Sequence, residues 1–234
     1  MTAWAIVVAA GSGTRLGGRG PKALTPLGGE PMLAWSLDAI VKAGSIRGVV
    51  VACGPGWAAE AEDLVRRRFQ ARGRVVGGGA TRQESVRLAL DRIAGDADRV
   101  VVHDAARPLA APELFERALA ALEGAAGAVC AIPVADTIKK TSGKKTSGKK
   151  TSGDVVAATI DRTGLWRAQT PQAFRTEALL RAHAEAAVAG FVATDDAMLL
   201  ERAGETVVVV RGDERNIKVT TQADLALAEA MLSR

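Results

Sequence analysis

Short runs of β-branched and apolar residues alternate along the chain with stretches whose apolar positions recur every three to four residues. That alternation predicts a mostly parallel sheet covered by helices. Strands are expected over Trp4–Ala9, Gly48–Cys53, Arg74–Val76, Arg99–His103, Ala128–Val134 and Thr206–Val210. A helix over Pro31–Ala43 opens on a proline, tolerated in a first turn, and stops at Gly44, a natural C-cap. Thr81 and Glu84 have the spacing of a capping box, and Val86, Ala89, Leu90 and Ile93 behind them form an i, i+3, i+4, i+7 stripe. Further helices are predicted over Pro112–Leu122, Thr176–Val188 and Thr221–Leu232. The expected fold is α/β: a Rossmann-like, mostly parallel twisted sheet with helices on both faces, built as one domain over residues 1–234.

One segment breaks the rhythm. Lys139–Gly153 is KKTSG three times over and holds no apolar residue, so it is expected to be solvated and mobile. Its neighbours Val134–Ile138 and Val155–Ile160 look like strands. The expectation is a protruding β-arm at about 135–160, with the low-complexity stretch 139–153 at its tip. The repeat also decides the charge. The formal net charge is +5, yet Lys139, Lys140, Lys144, Lys145, Lys149 and Lys150 all lie inside it. Without them 25 basic residues face 26 acidic ones, and aromatic residues for stacking on bases make up only 3% of the chain. That composition argues against a general nucleic-acid binder, and a nucleic-acid or membrane-surface reading would rest wholly on the KKTSG lysines. No apolar run approaches the ~18 residues of a membrane helix. The apolar N-terminus lacks a basic leader and runs into a glycine loop, so it is a strand rather than a signal peptide. At 234 residues, 48% apolar and 24% charged, the chain can bury a core without staples. Cys53 and Cys130 sit in apolar runs and are expected to be reduced, buried thiols of a cytoplasmic protein. Two histidines and two cysteines make no zinc site.

Three loops carry candidate chemistry. After the first strand comes Ala9-Ala10-Gly11-Ser12-Gly13-Thr14-Arg15-Leu16, then Pro21-Lys22. Glycines let backbone amides turn toward an anion. Leu16 stands where a dinucleotide fingerprint needs its third glycine, and no Gly-Lys-Ser/Thr follows to make a P-loop. A glycine loop with two cations, Arg15 and Lys22, suits a triphosphate; the alternative is a plain glycine turn. In the second loop, Asp104 follows the apolar run 100–102 at the strand's C-terminal edge, where ligands collect in open α/β sheets. Its carboxylate suits either Mg²⁺ or a turn cap, while His103 reads as structural. The third loop, Gly77-Gly78-Gly79-Ala80-Thr81, precedes the capped helix. It lets a base or sugar lie on bare backbone with the Ser85 hydroxyl at a base edge, or is simply a glycine-rich turn.

Taken in order, the motifs AAGSGTRLG…PK, GGGATRQESV, VHDAARP, PVADTIK, DRTGLWRAQTPQAF, ATDDA and NIKVT run through nearly the whole chain. The set resembles the 2-C-methyl-D-erythritol 4-phosphate cytidylyltransferases, within the glycosyltransferase-A-like nucleotidyltransferases. The resemblance implies transfer of CMP from CTP to a polyol phosphate, releasing pyrophosphate, with Mg²⁺ on the triphosphate. Arg15 and Lys22 match the family's cations at the α-phosphate, Asp104 the metal ligand, and Arg162 and Lys218 the pair that positions the incoming phosphate. Nucleotide contacts carry over to Ala9, Ala10, Gly11, Gly13, Gly79, Ser85 and Ala105, and the acceptor pocket to Arg107, Thr137 and Thr170. The arm after PVADT implies a homodimer in which Thr137 and Arg162 complete the neighbour's site. Ala80 departs from the acidic residue many relatives carry beside the base loop, and the KKTSG repeat replaces the ordinary arm tip. A ribitol 5-phosphate cytidylyltransferase shares the glycine loop and cations. Sugar-1-phosphate and molybdopterin nucleotidyltransferases would not pair DRTGLW with NIKVT. An inactive nucleotide-binding relative would be expected to have lost one of the cations or Asp104. Ending at Arg234 after the last helix, the chain is expected to carry no fused second enzyme.

Overall fold

A computed structural model describes residues 2–11, 13, 16, 20–93, 95–148 and 151–233, with the backbone alone for 143–148 and 151–153. The elements run β1 (Ala3–Ala9), β2 (Pro26–Leu27), β3 (Glu30–Pro31), α1 (Met32–Lys42), β4 (Ile46–Cys53), α2 (Ala58–Phe69), β5 (Gly73–Gly77), α3 (Arg82–Leu90), β6 (Arg99–Asp104) and α4 (Pro112–Ala120). There follow β7 (Gly127–Pro133), β8 (Ile138–Gly148), β9 (Thr151–Ile160), β10 (Trp166–Arg175), α5 (Thr176–Val188), α6 (Asp196–Arg202), β11 (Val207–Arg211) and α7 (Gln222–Leu232).

A seven-stranded sheet has the order β11-β7-β10-β6-β1-β4-β5. Every neighbouring pair in it is parallel except the two that β10 makes, with β6 and with β7. Strand alternation sends Ala3, Ala5, Val7 and Ala9 of β1 into one core with α1, α2 and α4. Trp4 and Ile6 enter a second core with α3, α5 and α6. Burial on both faces is why β1 and β4 read as unbroken apolar runs. A smaller cluster of Leu16, Leu27, Met32, Val219 and Ala228 seats α7 against the β2–β3 ribbon.

The six expected strands are present, each within two residues of its predicted ends. The strand β10 lies inside the sheet, between β7 and β6, and was not anticipated, because its sequence WRAQTPQAFR carries Pro171 and no apolar alternation. The ladder explains how the proline is tolerated: the pairing with β7 jumps from Ala168 to Gln172, and pairing with β6 begins only at Gln172. Residues 169–171 therefore bulge out of register, where a missing N–H breaks no ladder bond. Two helices were also missed. In α2 the buried stripe is only Ala61, Val65 and Phe69, and α6 has seven residues.

The arm differs from expectation in detail. Residues 134–137 are not strand, and the first arm strand starts at Ile138. The described part of the KKTSG repeat lies within β8 and β9, an antiparallel pair forming its own two-stranded sheet. Backbone pairing needs no buried side chain, and threonine favours extended backbone. Lack of apolar residues therefore does not prevent a strand. The capping box at α3 is half formed: Thr81 Oγ1 accepts from Glu84 N, but the Glu84 carboxylate accepts from Ala80 N instead of Thr81 N. The reciprocal box is found at Thr221 and Asp224 of α7. Among the described residues, no helix is long and apolar enough to cross a membrane.

Candidate active site

The C-terminal ends of β1, β4, β5 and β6 share one edge of the sheet, and a cleft of about 490 Å³ opens there. Its walls come from the loops leaving β1, β5 and β6, the start of α3 and the stretch before α7. Gly13, at φ +69°, lets the first loop double back so that a side chain there would press on Lys22. Lys22 N donates to Gly11 O, closing the loop and placing Lys22 on the cleft wall. Val219 N donates to Ala106 O, which ties the segment carrying Lys218 and Thr220 to the exit of β6.

The floor of the cleft is an ion-pair chain. Asp104, its side chain 10% exposed, accepts from Arg82 Nε on Oδ1 at 3.1 Å and from Lys218 Nζ on Oδ2 at 2.7 Å. Burial alone would raise its carboxyl, but Arg82 and Lys218 outweigh burial and hold it well below the usual carboxylate range. Arg82 Nη1 reaches on to Asp196 Oδ2 at 2.6 Å.

A second chain fixes Asp104 from behind. Its backbone N–H donates to Thr170 Oγ1 at 3.0 Å, and that oxygen lies 3.1 Å from His103 Nδ1. The Arg107 carbonyl, 3.2 Å from Nε2, can only accept, so His103 carries its proton on Nε2 and its Nδ1 accepts from the Thr170 hydroxyl. Burial pushes His103 down to about 4, so the ring is neutral at pH 7. The bulge at 169–171 is what carries Thr170 to the end of β6.

All seven positions expected to hold the nucleotide, Ala9, Ala10, Gly11, Gly13, Gly79, Ser85 and Ala105, line this cleft, as do Lys22, Asp104 and Lys218. The Ser85 hydroxyl is engaged by backbone, donating to Thr81 O and accepting from Gly79 N, so it shapes the glycine loop. Arg15 lies outside the described residues. Thr170 is part of the wall behind Asp104, and Arg107 donates to Asn216 O and Ala168 O rather than lining the cleft. Arg162, whose guanidinium donates to Ala135 O, and Thr137 both sit at the base of the β8–β9 arm, outside the cleft lining. Sequence reasoning assigned no role to Arg82, although it stands inside the motif GGGATRQESV. An acidic side chain does reach the base loop despite Ala80, because Glu84 folds back over Gly79, where any side chain would collide with it.

An open α/β sheet with a nucleotide-sized cleft at its C-terminal edge, walled by glycine loops and lysines, defines a protein of the nucleotidyltransferase class. Residues 3–234 match the family model for 2-C-methyl-D-erythritol 4-phosphate cytidylyltransferase. A protein of that name from Cereibacter sphaeroides is 47% identical over 236 residues, covering 100% of this chain and 98% of its own length. One from a Synechococcus strain is 44% identical over 232 residues, covering 98% and 96%. A crystal structure of 2-C-methyl-D-erythritol 4-phosphate cytidylyltransferase from Thermus thermophilus aligns at TM-score 0.81 and 33% identity, over 100% of both chains. The chain belongs to the 2-C-methyl-D-erythritol 4-phosphate cytidylyltransferase family.

Proposed function

We propose that this chain transfers CMP from CTP to 2-C-methyl-D-erythritol 4-phosphate, releasing pyrophosphate, in non-mevalonate isoprenoid precursor synthesis. The observation that carries the reading is the convergence, in one cleft, of Lys22, Asp104, Lys218 and every position expected to touch the nucleotide. An oxygen of the acceptor's phosphate attacks the α-phosphorus of CTP in line. One P–O bond forms as the bond to the β-phosphate oxygen breaks, and pyrophosphate leaves. The nucleophile is already anionic, so positioning and charge stabilisation are what the protein supplies. Lys22, with Arg15 on the strength of the motif, neutralises the crowded α-phosphate. Lys218 and Arg162 hold the incoming phosphate, Arg107 and Thr137 belong to the acceptor's side of the site, and Thr170 supports that side from behind Asp104.

Asp104 fits a divalent metal as a single protein ligand. Among the described residues no group of three or more His, Cys, Asp or Glu side chains gathers as a closed metal cage. Mg²⁺ on nucleotides takes one or two carboxylates and fills its sphere with phosphate oxygens and water. When bound, the ion neutralises triphosphate charge. The arm supports a homodimer: Ile138, Val155, Val156, Leu165 and Trp166 are all more than a third exposed on or beside it. A second copy that covers them would receive Thr137 and Arg162 at its own cleft. Two buried, unpaired thiols fit a reducing, cytoplasmic setting.

Pyrophosphate release with Mg²⁺, each of four NTPs and either methylerythritol phosphate or ribitol 5-phosphate tests the reading. Turnover is expected only with CTP and methylerythritol phosphate. Turnover with ribitol 5-phosphate in its place would overturn the acceptor, and no pyrophosphate with any pair would overturn the enzyme.

A further inference from the structure

The ATDDA motif contains a carboxylate that the reaction as described does not use. Asp195 caps α6, accepting from Met198 N, and also accepts from Gln172 Nε2. The next residue, Asp196, opens the helix. An aspartate in a first turn ordinarily faces solvent, where it complements the helix dipole. Asp196 instead points inward with its side chain 1% exposed. An unpaired carboxylate at such a depth would be strongly destabilising. Its Oδ2 meets Arg82 Nη1 at 2.6 Å, and His183 Nε2 lies 3.4 Å from its Oδ1. Arg82 in turn holds Asp104 Oδ1 with Nε.

Resting on the functional reading above, we infer that Asp196 is a positioning residue for the cleft: through Arg82 it fixes Asp104 Oδ1 and balances the guanidinium charge. Oδ2 is then the oxygen that changes partners on ligand binding. The two ends of the chain differ in the way this requires. Arg82 is anchored between two buried carboxylates by a rigid fork of donors. Lys218, on Oδ2, is 45% exposed and on a flexible stem, so it can leave Asp104 for a phosphate. The alternation Asp196, Arg82, Asp104, Lys218 also keeps the cleft floor neutral overall before nucleotide arrives. Asp196 touches no ligand in this account and acts only through Arg82.

Calorimetric titration of CTP into the full-length protein, first with chelator and then with Mg²⁺, separates this role from a merely structural one. Asp196→Asn leaves the Arg82 charge unbalanced at the edge of the cleft. Metal-free CTP is then expected to bind tighter by on the order of tenfold. The gain in CTP affinity on adding Mg²⁺ should shrink by a similar factor, because Asp104 has lost its fixed partner. In turnover, kcat falls while KM for methylerythritol phosphate stays within about twofold. A loosened fold would weaken both titrations together. His183→Gln, which alters the neighbour of Asp196 without touching Arg82, should lower the melting temperature and leave both titrations unchanged. Should Asp196→Asn not fold, Arg82→Lys carries the test. It keeps the charge but cannot span two carboxylates, so the gain in CTP affinity on adding Mg²⁺ is lost. Wild-type protein that binds CTP, with Asp196→Asn and Arg82→Lys shifting both titrations alike or neither, overturns this inference alone. Wild-type protein that binds no CTP overturns the functional reading as well.

Discussion

Single side chains in the cleft do different work from what their motifs suggest. Thr170 matches an acceptor-pocket position, yet its hydroxyl is buried between the Asp104 amide and the His103 ring. Thr170→Val keeps the shape and leaves that amide and Nδ1 without partners, a loss of about 1–3 kcal/mol. The expected outcome is a lower melting temperature together with reduced kcat, since Asp104 loses its backbone anchor. Unchanged stability in denaturant titration would contradict the proton chain drawn here. Lys22 stands on the cleft wall, where the proposed reaction develops charge. Lys22→Ala should lower kcat by on the order of 10²-fold or more. Motif matching found both residues because each stands in a short local motif, Pro21-Lys22 and QTPQ. It gave no role to Arg82 or Asp196, because a long-range ion pair between residues 114 apart leaves no local pattern.

Elements were legible where periodicity was strong and local. The two-sided burial of β1, β4 and β6 writes itself into the chain as apolar runs, and the Val86, Ala89, Leu90, Ile93 stripe is wholly buried as expected. β10 was illegible because its place is fixed by pairing with β6 and β7 and by a bulge that accommodates Pro171, neither of which is local. α2 was illegible because its buried face is narrow and its remaining surface is charged. Helix α7 offers a test at this scale. Asp224 accepts from Thr220 N, Thr220 Oγ1 and Thr221 N, and these hydrogen bonds outweigh desolvation to hold its carboxyl down at about 2. A folded-state value below the ordinary one near 4 stabilises the protein above that pH. The stabilisation is lost as pH falls from about 4 to about 2. Asp224→Asn should therefore melt lower than wild type at pH 7, and the two curves should converge toward pH 2. A gap that stays constant with pH would contradict the cap.

At the scale of the whole molecule, the sheet brings together at one edge residues spread from Ala9 to Lys218, while the arm carries Thr137 and Arg162 away from it. That separation has a direct consequence if a second copy supplies them. Lys22→Ala and Arg162→Ala proteins, each inactive as homodimers, should recover about a quarter of wild-type activity when mixed and reassembled. In half of the mixed dimers' sites both lesions fall together, and the other half are intact. No recovery would place both residues in one subunit's site. If the arm joins two copies, replacing Val156 with Asp should shift sedimentation toward the monomer, since it sets a charge among the exposed apolar residues there. The central claim, that this cleft moves CMP from CTP to a polyol phosphate, is tested most directly by ³¹P NMR of the enzyme with CTP, Mg²⁺ and methylerythritol phosphate. The CTP signals should give way in equal measure to pyrophosphate and to a coupled pair of diphosphate-diester resonances. CTP that stays intact, or that breaks down to pyrophosphate and CMP with the acceptor's phosphate signal unchanged, would contradict it.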